Sequence, residues 1–151
     1  MSSIALTPFS SVPVASRTVS RGRFALVGLA TVTAAVIANL LVYLIGSVVV
    51  GYDPGFVVLA NASGTILFTV VPAIVAVLLY AALMRFSGNP ARIFSNIAVV
   101  VLIVSLIPDL TYIPSVPGAT SGQTAILMLM HGVAAVVIVS VLTTQTRSPR
   151  A

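Results

Sequence analysis

Four apolar stretches, at residues 24–50, 62–84, 93–113 and 123–142, constrain this chain more than any other feature of it. A helix that crosses the hydrocarbon of a bilayer needs about 20 mostly apolar residues. The four stretches meet or approach that length, with Asp109 the one formally charged residue among them. Backbone N–H and C=O groups surrounded by lipid have to pair within their own segment, so such stretches become helices. The expectation is an all-α integral membrane four-helix bundle. The charged fraction agrees, at 6% of residues against about 25% in a soluble domain.

The connecting segments are clusters of turn formers: Gly51-Tyr52-Asp53-Pro54-Gly55, Ser87-Gly88-Asn89-Pro90 and Pro114-Ser115-Val116-Pro117-Gly118. Links this short predict antiparallel neighbours. The first apolar stretch is much longer than the h-region of a signal peptide, about 7–15 residues, and is read as a retained helix. Residues 1–22, rich in Ser, Pro, Thr and Val, are read as a mobile cytoplasmic tail. Residues 23–144 form one transmembrane domain, and 145–151 a cytoplasmic C-terminal tail. The Asn61-Ala62-Ser63 triplet matches a glycosylation pattern at the membrane surface and is taken as chance.

Orientation follows from the arginines, because short cytoplasmic loops collect positive charge. Arg17, Arg21 and Arg23 precede the first stretch, Arg85 and Arg92 flank the second link, and Arg147 and Arg150 follow the fourth stretch. The other two links hold no basic residue. Both termini are therefore expected in the cytoplasm, with the protein in the plasma membrane. Lysine is absent from the chain, and reliance on arginine alone points to a GC-rich bacterial genome. The net charge of +5 is scattered between apolar runs rather than gathered on one face, which excludes a nucleic-acid partner. The partners expected are the lipid bilayer and a second copy or another membrane protein. No internal repeat supports an inverted-repeat transporter within one chain.

Helical spacing gives each stretch one polar or small-residue stripe: Thr31, Ala35, Asn39, Val42 and Gly46 in the first; Thr65, Thr69, Pro72 and Ala76 in the second; Ser105, Pro108, Asp109 and Tyr112 in the third; Thr124, Met128, His131 and Ala135 in the fourth. Ala30, Ala34 and Ala38 form a further small-xxx-small pattern that suits close helix packing. Serine and threonine hydroxyls satisfy themselves on the carbonyl one turn back. Asn39, Asp109 and His131 are the candidate intramembrane polar cluster. An aspartate at bilayer depth costs about 2.5–3.5 kcal/mol unless paired. His131 is the one potential cation in the outer half, which makes it the expected partner of Asp109. Asn39 is expected to hold the His131 tautomer from the first helix.

Known site chemistries fit poorly. No cysteine is present for a nucleophile, disulfide or thiolate metal site. One His and one Asp do not complete a zinc or iron set, and a haem would lack a second well-placed ligand. Ser63-Gly64 falls short of an intramembrane serine protease, and an aspartyl protease needs a second embedded Asp. No catalytic residue, metal or cofactor is assigned.

Ala38-Asn39-Leu40-Leu41-Val42-Tyr43, Ser105-Leu106-Ile107-Pro108-Asp109-Leu110 and Met128-Leu129-Met130-His131-Gly132-Val133-Ala134-Ala135 together resemble a domain-of-unknown-function family of small four-helix membrane proteins from high-GC Gram-positive bacteria. The resemblance covers 23–144. It implies the fold and the topology, and no activity. Two functional readings stand. The favoured one is a non-enzymatic packing, scaffold or lipid- or partner-binding bundle. The alternative is a small-molecule or proton-linked transporter acting as an oligomer, with Asp109 and His131 titrating. The inner half offers no acid or histidine to continue a proton path.

Overall fold

The computed structural model describes residues 20–146. Residues 1–19 and 147–151, with Arg17, Arg147 and Arg150 and most of the two expected tails, lie outside the described residues. The chain forms four helices, α1 (Arg21–Val49), α2 (Ala62–Phe86), α3 (Pro90–Thr111) and α4 (Ser121–Gln145), with a short 3-10 turn at Ile113–Ser115. All four are long and apolar enough to cross a membrane.

Capping residues set the helix ends, and this moves them from where hydropathy alone places them. The Ser20 side chain accepts from the Arg23 N–H at 3.3 Å, so Arg21 and Gly22, assigned to the tail by composition, are the first residues of α1. Asn61 accepts from the Gly64 N–H at 3.3 Å and from the Ser63 hydroxyl, which explains the Asn-Ala-Ser triplet as a helix start. Pro90 occupies the first turn of α3, where its missing N–H costs nothing. At α4 the Thr120 N–H donates to Gln123 Oε1 at 2.8 Å and the Gln123 N–H returns to Thr120 Oγ1 at 3.3 Å, a capping box.

Helix α1 packs on α4 and α2, and α3 packs on α4 and more thinly on α2. Among the described residues α1 and α3 do not meet. At one end, Arg23 Nη2 donates to the Gln145 carbonyl and the Tyr80 hydroxyl meets Thr146 Oγ1 at 2.9 Å. This arginine end shares a core of Ala35, Ala73, Tyr80, Phe94, Ile138 and Leu142, in which Tyr80 and Phe94 meet edge to face at 5.0 Å. The opposite end, formed by the α1–α2 and α3–α4 connections, has a second core of Phe56, Leu59, Ile113, Leu127 and Met130.

The inward stripe of α1 is Gly28, Thr31, Ala35, Asn39 and Gly46, close to the polar spacing of the sequence. The alanine pattern is not the tight face: Ala30 is exposed, and Ala34 and Ala38 are half-buried. In α2 the buried stripe runs through Thr65, Thr69, Ala73 and Tyr80, while Pro72 faces outward. Helix α3 buries only Phe94 and Asp109, with Pro108 and Tyr112 exposed, and α4 turns Leu127 and Met130 inward in preference to Met128. Close approach occurs at Gly28, where a Cβ would meet Val77 of α2 at 2.9 Å.

Candidate functional site

Asp109 lies in the last turn of α3 and His131 ten residues into α4, and the antiparallel pairing of these helices brings them together. Asp109 Oδ2 is 3.1 Å from His131 Nδ1. The same Nδ1 is 2.8 Å from the Leu127 carbonyl, one turn back on α4. Carbonyl and carboxylate both accept, so Nδ1 carries the ring proton. The nearer carbonyl takes the hydrogen bond, and Oδ2 stands at ion-pairing distance without a hydrogen bond of its own among the described residues. The Asp109 side chain is 7% exposed and that of His131 38%, so the carboxylate is the enclosed partner and the imidazole the accessible one.

Asn39 is buried but does not reach this pair. Its Nδ2 donates to Thr69 Oγ1 of α2 at 2.9 Å, and the Thr69 hydroxyl passes the chain on to the Thr65 carbonyl at 2.7 Å. The His131 tautomer is therefore held by Leu127, not by Asn39. The three polar residues read from the sequence separate into two clasps, one joining α1 to α2 and one joining α3 to α4. Asn39 Oδ1 and Thr65 Oγ1 are buried without a hydrogen-bonding partner among the described residues.

The sequence reading missed an apolar segment in the core at the same end of the bundle as the Asp109–His131 pair. Phe56 and Leu59, in the α1–α2 connection, are 0% and 1% exposed and pack on Ile113, Leu127 and Met130. Ile113 stands one turn beyond Asp109, and Leu127 one turn before His131. The connection is thus an apolar plug in the loop-end core rather than a simple turn. Its signal was the apolar run Phe56-Val57-Val58-Leu59 directly after the turn formers.

Tyrosines hold the plug in place. The Tyr52 hydroxyl donates to the Tyr43 carbonyl at 2.8 Å, and the Tyr43 hydroxyl donates to the Leu59 carbonyl at 3.3 Å, with the two rings 5.1 Å apart. Burial pushes the Tyr52 phenol above its ordinary pKa, and the Tyr43 phenol adds to the shift, so Tyr52 stays a donor at neutral pH. Asp53 Oδ1 accepts from the Gly55 N–H at 2.7 Å, which spends the loop carboxylate on its own turn. Ser63, which donates to its helix cap, has no base beside it in these bonds to make it a nucleophile.

A family of unknown function, DUF6069, matches residues 19–148. No curated protein and no solved structure matches the chain.

Proposed function

The chain belongs to DUF6069, a family of unknown function, and we propose from its own geometry that it is a non-enzymatic multi-pass protein of the plasma membrane, a four-helix bundle that packs and scaffolds. The observation that carries this reading is the Asp109–His131 contact of 3.1 Å, which links α3 to α4. Helix α3 buries only Phe94 and Asp109 of its own, so the polar contact specifies how it pairs with α4. Both termini are cytoplasmic, in keeping with the arginines at one end of the chain's four spans. The arginine-only basic set supports an origin in a high-GC bacterium. Lipid surrounds the bundle, and a second copy or another membrane protein is its protein partner.

A carrier built on the same pair needs a wetted route to its acid, and the Asp109 side chain is only 7% exposed. The test is a double-mutant cycle read by unfolding in detergent, together with proton flux in vesicles. Asp109→Asn and His131→Gln should each cost about 1–2 kcal/mol, less than the roughly 3–5 of a fully enclosed pair because His131 is 38% exposed. The double variant should recover part of the summed loss. Vesicles containing the protein should show the flux of empty ones. Single variants of wild-type stability that abolish a measurable flux would overturn the clamp.

A further inference from the structure

Helix α3 leaves one side without a neighbour, and an asparagine stands on that side. Ile93, Asn96, Val100, Ile103, Ile107 and Leu110 are all exposed. Their intervals alternate between three and four, the spacing of a seam along which two parallel helices interlock. At about 100° per residue the seam lies roughly half a turn around α3 from Phe94 and Asp109, the two residues that the helix buries, so it faces away from the bundle. Asn96 stands about 9 Å from the start of α3 at Pro90, at hydrocarbon depth in a spanning helix. Arg92, one turn nearer the end, has a stem long enough to reach the headgroups, and the Asn96 amide is too short to do so. The Ser95 hydroxyl donates to the Ala91 carbonyl at 2.9 Å, and Asn39 finds Thr69, whereas the Asn96 amide makes no hydrogen bond among the described residues.

We propose that this seam is a homodimer interface, in which α3 packs in parallel on α3 of a second copy and the two Asn96 amides hydrogen-bond to each other across the two-fold axis. Valine and isoleucine do not choose this partner, because lipid is as apolar as they are. The amide does. It carries both donor and acceptor, so a second Asn96 answers it reciprocally, whereas lipid ester and phosphate oxygens only accept and leave Oδ1 bare. Copies inserted the same way are related by an axis along the membrane normal, which brings each Asn96 to the other at equal depth. The β-branched Val100, Ile103 and Ile107 hold nearly fixed rotamers in a helix, so packing them loses little entropy. The inference deepens the scaffold reading by naming its protein partner, and it rests on that reading, in which lipid surrounds α3.

The test is disulfide cross-linking of the full-length chain in native membranes, which the absence of any natural cysteine makes clean. Val100 on the seam and Val101 beside it are 60% and 59% exposed, so a cysteine at either is equally open to oxidation. Val100→Cys should form a linked dimer about tenfold faster than Val101→Cys, because only the seam brings two copies within disulfide reach. Adding Asn96→Leu should slow the Val100→Cys cross-link about threefold to fifteenfold, the worth of a polar contact between membrane helices. Asn96→Gln, which keeps the amide, should restore most of that rate. Cross-linking at Val100→Cys no faster than at Val101→Cys, or a rate indifferent to Asn96→Leu, would overturn the interface. Either result leaves the coupled stability of Asp109 and His131 standing, since that coupling is read by unfolding in detergent. Loss of the coupling with the Val100→Cys cross-link intact would overturn the clamp alone.

Discussion

Gly118 lies against the backbone of Phe56 so closely that a Cβ there would sit 2.8 Å from the Phe56 nitrogen. The two connections at the loop end thus touch backbone to side-chain-free backbone, and Gly118 also has φ +77°, a conformation that disfavours any side chain. Gly118→Ala should lower unfolding stability in detergent by about 1–3 kcal/mol. Gly88→Ala, where a Cβ meets nothing within 4 Å, should leave it unchanged. Equal effects at the two sites would show that the connections do not lock together.

Phe56 is fully buried, whereas Val57 beside it is 76% exposed. Phe56→Ala should cost roughly 3–5 kcal/mol, with faster hydrogen exchange in the last turn of α3 and the first turns of α4. Val57→Ala should change neither. A Phe56→Ala protein with wild-type exchange around Asp109 would mean that the plug does not support the helix ends that carry the pair.

The bond from Asn39 to Thr69 joins α1 to α2 through side chains that are both buried. Hydrogen bonds between membrane helices are modest, about 0.6 kcal/mol on average and up to about 1.7. Asn39→Leu and Thr69→Val should couple by an amount in that range, and neither should couple to His131→Gln. Coupling of Asn39 to His131 in the unfolding midpoints would restore the single polar cluster that the sequence suggests.

Topology is open to reporter fusions. Alkaline phosphatase joined after Pro117 should be active, and a fluorescent protein joined after Ala151 should glow in the cytoplasm. The opposite pair of results would invert the orientation.

Much of the fold was legible because it follows from local physics. Lipid leaves the backbone of an apolar run no partner but itself, so four long runs become four helices whatever they touch. The small and polar spacing of α1 also pointed the right way, at Thr31, Ala35, Asn39 and Gly46. The alanine pattern did not, because Ala34 and Ala35 differ by about 100° around the helix and either fits a period of 3.6. Choosing between them takes the position of the neighbouring helix. The same ambiguity separates Pro72 from Ala73, of which only Ala73 is buried.

The sequence by itself determined the number of spans, the end at which the arginines gather, and the identity of the few polar side chains that lipid makes expensive. Tertiary structure decided who answers them. Asp109 and His131 are 22 positions apart and meet only because α3 and α4 fold back on each other, while Asn39 finds Thr69 because α2, not α4, presents a hydroxyl at its level. Phe56 and Leu59 sit in a connection whose turn formers mark it as solvent-exposed, and nothing local shows that the space above Ile113, Leu127 and Met130 is theirs to fill. Pairing and filling depend on distances between segments, which a one-dimensional pattern of apolar and polar residues does not carry.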